Sequence, residues 1–243
     1  MDKKTLDFHL CDHCNLNCYY CDHVSPWCKE RTHTLKEFEN NLILAKKLEN
    51  IFSVIHLTGG EPLLVKHIWI YLIKVREIYP DKQIVLYTNG ILLPKMTDEF
   101  WFTLKHYNIR LHISIYPVLD KKSTMELITE KGVFAYAKEI KKMLDIEWDF
   151  TAKNGHEAYS KCFRCPFVYD GKLYPCPRLC LAINKDKNFP DIENSYLDLK
   201  DINLSEERIL NFLENPTVAC DYCVTHKEKN WRITNENDFM ENN

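Results

Sequence analysis

An α/β fold, with a parallel sheet covered by helices, is the architecture that this sequence predicts. Short apolar runs alternate with segments of helical spacing between residues 6 and 150, and repeated strand–helix units of this kind form parallel sheets. The chain holds 11 cysteines and none of them lies in residues 29–161, so the body of the fold lies in that middle part. With 243 residues, 45% of them hydrophobic, the chain can form one large domain or a medium and a small one.

Charge and hydropathy exclude several classes of protein. The net charge of −3 provides no global basic field, so we expect no nucleic-acid partner. The chain has no apolar run of about 18 residues, and no apolar stretch follows its charged start, so we expect neither a membrane span nor a signal peptide. Many cysteines in such a chain indicate a cytoplasmic protein whose thiols bind metal rather than form disulfides.

Strands and helices alternate along the middle of the chain. Apolar and β-branched runs predict strands at Leu6–Leu10, Ser53–Leu57, Gln83–Tyr87, Ile109–Ile115, Val133–Ala137 and Leu144–Phe150. Helical spacing predicts helices after Thr34, at Lys66–Tyr79, at Thr97–Tyr107 and after Ser123. Thr34 with Glu37, and Ser123 with Glu126, have the spacing of the capping box that marks a helix start. Because the strands are parallel, the loops at their carboxyl ends should gather on one rim.

Three cysteines with the spacing C-x3-C-x2-C follow the first predicted strand, at Cys14, Cys18 and Cys21. Three thiolates on so short a loop can hold three irons of a [4Fe-4S] cluster, which leaves the fourth iron open to a small molecule. The alternative is a zinc site that uses Cys11 as a fourth ligand. Zinc ribbons separate their two CxxC pairs by many more residues than the three found here, so the spacing favours the cluster.

Two glycine-containing strand ends accompany this cysteine loop. The segment Gly59-Gly60-Glu61 follows the second predicted strand, and Asn89 and Gly90 follow the third. Glycine at a strand end lets the backbone approach a ligand closely. Each site taken singly is also compatible with a plain turn, but their order after the cysteine loop indicates a cofactor site.

This series of motifs resembles the radical SAM superfamily over roughly Leu6–Phe150. The resemblance implies a partial (β/α)6 TIM barrel in which Cys14, Cys18 and Cys21 bind a [4Fe-4S] cluster, and S-adenosylmethionine binds its open iron. It also implies an electron donor such as flavodoxin or ferredoxin, and a 5′-deoxyadenosyl radical that takes a hydrogen atom from a small-molecule substrate. The residues that would contact S-adenosylmethionine by this resemblance are Tyr20, Gly59, Gly60, Glu61, Asn89 and Ser114.

The remaining cysteines follow the predicted core. A hairpin predicted at residues 167–174, around Asp170-Gly171, would bring Cys162 and Cys165 near Cys176. A helix predicted from Ser205 to Glu214 precedes a CxxC pair, Cys220 and Cys223. Four thiolates can hold either a [4Fe-4S] cluster or a zinc ion, and counting ligands does not choose between them.

The spacing C-x8-G-x4-C that starts at Cys162, with a late CxxC pair, resembles the twitch form of the SPASM extension. That resemblance implies one auxiliary [4Fe-4S] cluster, with Cys165 as the rival for its first ligand. It also divides the chain into a radical SAM core, residues 1–150, and a small C-terminal auxiliary-cluster domain, residues 151–243. The ligands implied for this cluster are Cys162, Cys176, Cys220 and Cys223.

The reaction is predicted from these resemblances. The leading hypothesis is oxidation of a sugar, aminosugar or aminocyclitol carbinol; the alternatives are maturation of a ribosomal peptide and a non-catalytic zinc-binding module. No general base can be assigned from the sequence. We interpret Cys11 as a buried thiol, Cys180 as a spare thiol, and His9 and His33 as loop or surface residues.

Overall fold

The computed structural model describes residues 4–185 and 192–235. Its strands are β1 Thr5–His9, β2 Val54–Thr58, β3 Gln83–Thr88, β4 Ile109–Ile115, β5 Ala135–Glu139, β6 Lys142–Trp148, β7 Phe167–Tyr169, β8 Lys172–Tyr174, β9 Leu197–Asp198 and β10 Cys223–Asn230. Its α-helices are α1 Leu35–Leu44, α2 Ile68–Ile78, α3 Asp98–His106, α4 Lys121–Lys131, α5 Gly155–Ser160, α6 Pro177–Lys185, α7 Glu206–Glu214 and α8 Val218–Asp221. None of the described helices is both long and apolar enough to cross a bilayer.

One mostly parallel sheet organises the molecule. Its eight strands have the order β5-β4-β3-β2-β1-β7-β8-β9, in which neighbours among β1 to β5 and β7 pair in parallel, β8 is antiparallel to β7, and β9 is antiparallel to β8. Apolar side chains such as Phe8, Leu57 and Leu86 are buried against α1, α2 and α3 on one face. The predicted α/β class is therefore confirmed, and six parallel strands agree with a partial barrel.

The sheet face opposite these helices carries polar and aromatic side chains, and we call it the inner face. Asp7 lies beside His56 on neighbouring strands, and Tyr87 lies beside His112, which lies beside Tyr136. Neighbours in a parallel ladder project to the same side, and side chains alternate along each strand. The apolar residues between them therefore face the helices, while this row lines the inside of the partial barrel.

The sixth predicted strand forms but lies elsewhere. The strand predicted at Leu144–Phe150 is β6, and it pairs antiparallel with β10 in a separate two-stranded sheet. The sixth parallel strand of the main sheet is instead β7, which pairs with β1. The alternating hydrophobicity at residues 144–150 thus predicted a strand correctly, but it did not specify the strand's partner.

The two predicted capping boxes have different outcomes. The Thr34 hydroxyl accepts from the Glu37 amide at 3.2 Å, and the Thr34 amide donates to the Glu37 carboxylate at 2.7 Å, which confirms the first box. The second box is wrong, because α4 begins earlier with Asp120 as its N-cap. The Asp120 carboxylate accepts from the Lys122 and Ser123 amides, so Ser123 already lies inside the helix.

The predicted hairpin is present and joins the C-terminal part of the chain to the main sheet. Asp170 and Gly171 connect β7 to β8, both with positive φ, as the tight turn of a two-residue hairpin requires. The strands β7 and β8 pack with α6 and α8 in a second apolar cluster, which includes Phe167 and Cys180. The domain division at residue 150 stays a prediction, and the sheet continues across it through β7, β8 and β9.

Candidate metal centre and cofactor site

The loop after β1 carries the three predicted cluster cysteines, and two of their sulfur atoms accept hydrogen bonds. The Leu16 amide donates to Cys14 Sγ at 3.3 Å, and the Asn89 side-chain amide lies 3.6 Å from the same sulfur. The indole N–H of Trp231 donates to Cys18 Sγ at 3.0 Å. Donors of this kind stabilise negative charge on sulfur, as a thiolate ligand requires.

Burial and mutual proximity dominate the electrostatics of these thiols. Burial raises the pKa of Cys18 to about 12, with the Trp231 hydrogen bond acting in the opposite direction. Burial also raises the pKa of Cys14 and of Cys21, and negative charge on Cys21 and Cys18 raises that of Cys14 further. Burial raises the pKa of Tyr116, and negative charge on the three thiols acts in the same direction. Without a metal the three sulfurs favour the neutral thiol, so a bound cation would release protons.

The predicted glycine segment docks directly on the cysteine loop. The Gly60 amide donates to the Cys11 carbonyl at 2.7 Å, and the Glu61 amide donates to the His13 carbonyl at 3.0 Å. A Cβ on Gly60 would lie 2.0 Å from the His13 oxygen and 2.9 Å from the Cys14 nitrogen. Glycine is required here because two backbones approach more closely than any side chain allows.

The Glu61 side chain is fully buried below this contact. Its carboxylate accepts hydrogen bonds from the Thr88 hydroxyl at 2.7 Å, the Asn89 amide at 2.7 Å and the Leu63 amide at 3.0 Å. Burial raises the pKa of Glu61 to about 7 although these three hydrogen bonds oppose the rise. All of these partners are internal, so Glu61 joins the ends of β2 and β3 and holds the rim beside Cys14.

The other predicted cofactor contacts occupy different surroundings. Asn89 lies at the cysteine loop, where its amide group donates to Asn15 Oδ1 at 2.7 Å. Ser114 lies near the end of β4, half-buried beside Lys138 of β5. The Tyr20 ring packs against Tyr19 with ring centroids 4.8 Å apart. The structure thus brings Asn89 to the cysteines and leaves Ser114 one strand farther along the rim.

A C-terminal segment, residues 231–234, covers the cysteine loop, and no sequence pattern predicted this contact. The Tyr19 amide donates to the Arg232 carbonyl at 3.0 Å, and the Thr234 amide donates to the Asn17 carbonyl at 2.8 Å. Together with the Trp231 bond to Cys18, these contacts fix the loop from the far end of the chain. Trp231 is thus a site residue that the sequence analysis missed, because only the tertiary fold brings it to the motif.

Four C-terminal cysteines surround one small apolar cavity. The cavity measures about 60 Å³, and its wall includes Cys162, Cys176, Cys220 and Cys223 together with apolar side chains such as Trp148 and Phe212. These are the four ligands that the sequence predicts for an auxiliary cluster. An apolar cavity with four sulfurs in its wall suits a compact inorganic group better than water, which needs several polar partners.

Hydrogen-bond donors also point at these sulfurs. The Arg164 amide donates to Cys162 Sγ at 3.4 Å, and the Leu179 amide donates to Cys176 Sγ at 3.4 Å. Burial raises the pKa of Cys223 to about 11, with negative charge on Cys162 and Cys220 acting in the same direction. The thiols therefore lie near one another, and backbone amides donate hydrogen bonds to two of their sulfurs.

Cys165, the rival for the first ligand, lies on another side. It does not line the cavity, and burial raises its pKa to about 12, with negative charge on Asp7 and Asp22 as the next causes. Asp7 belongs to β1, so the Cys165 thiol is directed towards the inner face. The geometry favours Cys162 over Cys165 at the auxiliary site. The prediction of Cys11 as a buried thiol is confirmed by its full burial, and Cys180, predicted as a spare thiol, is fully buried as well.

A single-ion site is not formed by either group of cysteines. In residues 4–185 and 192–235, no three His, Cys, Asp or Glu side chains converge closely enough to hold one metal ion. A zinc ion needs all its ligands about 2.0–2.3 Å from one point. In an iron–sulfur cluster each thiolate binds a separate iron, so the sulfurs lie farther apart.

The histidines near the cysteine loop contradict the sequence interpretation. His9 and His33 are buried rather than exposed, because the hairpin covers them: His9 packs on Phe167, and His33 on Tyr169. His9 Nε2 lies 2.8 Å from the Asp12 carboxylate. Side-chain burial by a distant hairpin leaves no local pattern in the sequence.

Comparison with known proteins decides the family. A model described as the radical SAM superfamily matches residues 9–142, more than half of the chain. The chain belongs to the radical SAM superfamily. The matched range contains the cysteine loop, the glycine segment and the parallel strands β2 to β5, so the radical SAM motifs lie at the carboxyl rim described above. This chain is therefore an enzyme of that superfamily.

Curated relatives match part of this chain. GTP 3′,8-cyclase from Geobacter sulfurreducens is 32% identical over 142 residues, which are 58% of this chain and 40% of that protein. GTP 3′,8-cyclase from Petrotoga mobilis is also 32% identical over 142 residues, 56% of this chain and 42% of that protein. The chain thus spans about two fifths of the length of these curated relatives.

Among solved structures, BtrN has a similar fold along almost the whole chain. The crystal structure of BtrN in complex with AdoMet and 2-DOIA covers 93% of this chain and 95% of its own, with a TM-score of 0.58 and 18% identity. BtrN in an open conformation gives a TM-score of 0.52. At this identity the likeness shows the fold alone.

Proposed function

We propose that this radical SAM enzyme oxidises a carbinol of a sugar, aminosugar or aminocyclitol. The observation that carries the proposal is the second group of thiols, Cys162, Cys176, Cys220 and Cys223, around one apolar cavity. Removal of a hydrogen atom from a carbinol leaves one further electron to be taken up before the ketone forms. A second iron–sulfur site in the same chain would meet that need.

At the core, Cys14, Cys18 and Cys21 hold the [4Fe-4S] cluster and leave one iron for S-adenosylmethionine. When bound, this pair supplies a 5′-deoxyadenosyl radical that removes a hydrogen atom from the substrate. The donors to Cys14 and Cys18 fit thiolate ligands, and the close approach at Gly60 holds the loop on the rim. Glu61 is a positioning residue in this proposal, since its carboxylate is buried and hydrogen-bonded on both oxygens.

The remaining contacts to S-adenosylmethionine follow the rim from the cysteine loop. We assign Tyr20, Gly59 and Asn89 to the side nearest the cluster and Ser114 to the far side. Asn89 is anchored to Asn15, which fixes its amide beside Cys14. Residues 1–150 would form the radical SAM core in this assignment, and residues 151–243 the auxiliary part.

The substrate and partners are proposals as well. The curated relatives are GTP cyclases, but the match covers only 40% of the Geobacter sulfurreducens protein, and the auxiliary thiols lie outside residues 9–142, which match the radical SAM model. None of the eleven cysteines forms a disulfide, which suits the reducing cytoplasm. A flavodoxin or ferredoxin of that compartment would supply the reducing electron.

The experiment begins with anaerobic reconstitution and measures iron, sulfide and zinc per chain. The reduced enzyme is then incubated with S-adenosylmethionine and glucosamine, myo-inositol or scyllo-inosamine, each deuterated at its carbinol carbons. We expect about eight irons per chain, deuterium in the 5′-deoxyadenosine, and a ketone product from at least one compound.

A variant separates the two cysteine groups. Cys176→Ser should bind about four irons and still transfer deuterium to 5′-deoxyadenosine, but form little ketone, whereas the control Cys28→Ser should behave like wild type. Zinc in place of iron would overturn the proposal. Ketone formation by Cys176→Ser at the wild-type rate would remove the auxiliary site from the reaction.

A further inference from the structure

A row of polar and aromatic side chains crosses the inner face of the sheet. The His56 and Tyr87 rings have centroids 4.8 Å apart, the Tyr87 and His112 rings 4.3 Å, and the His112 and Tyr136 rings 5.1 Å. Tyr136 is 59% exposed, and the row becomes progressively more buried towards Asp7. Aromatic walls with a few fixed polar groups are typical of small-molecule sites.

The buried end of this row is a carboxylate–histidine pair. Asp7 of β1 and His56 of β2 are direct neighbours in the parallel ladder, and His56 Nδ1 lies 3.0 Å from Asp7 Oδ1. Their side chains are only 9% and 17% exposed. A carboxylate that receives Nδ1–H fixes the tautomer in which Nε2 has a lone pair and can accept a proton.

The second ring nitrogen of His56 remains available. Within the described part of the chain no group forms a hydrogen bond with Nε2, and this nitrogen is not among the buried polar atoms that lack a partner. It is therefore open on the inner face. His56 lies two residues before the last residue of β2, so the pair is about 7 Å from the carboxyl end of that strand, which Gly59 follows.

We propose that His56, oriented by Asp7, is the general base for the substrate hydroxyl. The proposal rests on the carbinol oxidation proposed above and assigns the base for which the sequence offered no candidate. The carbinol becomes a ketone by losing three parts. The carbon-bound hydrogen atom goes to the 5′-deoxyadenosyl radical, the hydroxyl proton goes to His56 Nε2, and one electron goes to an iron–sulfur acceptor.

Other groups that face this pair do not fit the role. Burial raises the pKa of Tyr87 to about 12, with Asp7 the next cause, so its phenol holds its proton. Burial lowers the pKa of His112 to about 4, with positive charge on His56 and Lys138 acting in the same direction. The Cys165 thiol also has a raised pKa from burial and from Asp7. Of these side chains and His56, only His56 has a hydrogen-bonded carboxylate, which would stabilise the imidazolium that forms.

The test uses the reconstituted holoenzyme with S-adenosylmethionine and the carbon-deuterated compound, glucosamine, myo-inositol or scyllo-inosamine, that wild type oxidises. Four quantities are compared: the dissociation constant by calorimetry without reductant, deuterium transfer to 5′-deoxyadenosine, ketone formation, and the organic-radical signal in freeze-quenched EPR samples. The variants are His56→Gln and Asp7→Asn, with His106→Gln on the exposed end of α3 as the matched control.

We expect His56→Gln to bind the compound and transfer the first deuterium within about twofold of wild type. Ketone formation should fall by at least about 10²-fold, and an organic radical should accumulate. Asp7→Asn should show the same pattern with a smaller loss, and His106→Gln no change. Wild-type ketone formation in His56→Gln, or parallel loss of binding and deuterium transfer, would overturn the base assignment. If wild type cleaves S-adenosylmethionine but oxidises none of the compounds, the proposed function itself fails.

Discussion

The indole nitrogen of Trp231 donates a hydrogen bond to Cys18 Sγ at 3.0 Å. The two residues are 213 positions apart, so the bond joins the end of the described chain to the cysteine loop near its start. Backbone hydrogen bonds between residues 17–19 and 232–234 flank it. The C-terminal segment therefore both covers the loop and polarises one of its sulfurs.

Trp231→Phe should lower the reduction potential of the core cluster. The variant retains the ring but loses the N–H that stabilises the negative charge added on reduction, and hydrogen bonds to sulfur set cluster potentials. An EPR-monitored redox titration measures the shift on the signal that responds to S-adenosylmethionine. Trp69→Phe on α2 is the matched control and should leave the potential unchanged. An unaltered potential in Trp231→Phe would show that this bond does not act on the cluster.

Gly60→Ala should displace the cysteine loop. The added Cβ would lie 2.0 Å from the His13 carbonyl oxygen, and a backbone atom cannot move aside as a flexible side chain can. We expect a loss of about 1–3 kcal/mol of unfolding free energy and iron bound below half of the wild-type level. Gly132→Asn, in open space at a left-handed position, is the control. Wild-type iron content in Gly60→Ala would contradict the close approach.

The sequence predicted those features of the fold that depend on contacts between residues close together in the chain. The Thr34 capping box formed as predicted because its partners lie within one turn. The same pattern at Ser123 failed because Asp120, three residues earlier, caps the amides of Lys122 and Ser123 first. The spacing of Cys14, Cys18 and Cys21, followed by Gly59-Gly60-Glu61 and Asn89-Gly90, predicted the superfamily correctly, since these motifs are visible without tertiary information.

The other features of the fold and the site depend on contacts between residues far apart in the chain, and local sequence patterns do not predict such contacts. The strand predicted at Leu144–Phe150 pairs with β10, far along the chain, so its alternating hydrophobicity did not predict its partner strand. His9 and His33 are buried by a hairpin more than 130 residues away. Trp231 reaches Cys18 in the same manner. The pair of Asp7 and His56 exists only because β1 and β2 adopt one particular register.

Tyr169→Phe should destabilise the contact between the hairpin and the cysteine loop. The Tyr169 hydroxyl donates to Asp12 Oδ2 at 3.0 Å and accepts from Arg31 at 2.8 Å. Burial acts to raise the pKa of Asp12, but its contacts with His9 and Tyr169 outweigh burial, so the carboxylate stays ionised and needs its donors. We expect a loss of about 1–3 kcal/mol in urea unfolding. Tyr136→Phe, with an exposed side chain, should cost little; equal losses would contradict the argument.

Glu61 should make stability depend on pH. Burial raises its pKa to about 7 from the ordinary 4.5, so between these values the folded chain holds a proton that the unfolded chain has lost. Its contribution is therefore fully present below about pH 4.5 and is lost as the pH rises through about 7. In the cluster-free chain, the free energy of unfolding of wild type relative to Glu61→Gln should fall by about 3 kcal/mol over this window. A difference that does not change with pH would show that Glu61 is ionised throughout.

Cys162→Ser and Cys165→Ser should differ in iron content although the two cysteines are three positions apart. Cys162 lines the cavity with Cys176, Cys220 and Cys223, whereas Cys165 is directed towards Asp7 on the inner face. After anaerobic reconstitution we expect about four irons per chain in Cys162→Ser and about eight in Cys165→Ser. The broad visible absorbance of iron–sulfur clusters should fall in the same ratio. The reverse pattern would make Cys165 the ligand and require the segment before β7 to turn over, and equal iron in both variants would mean that neither thiol binds a cluster.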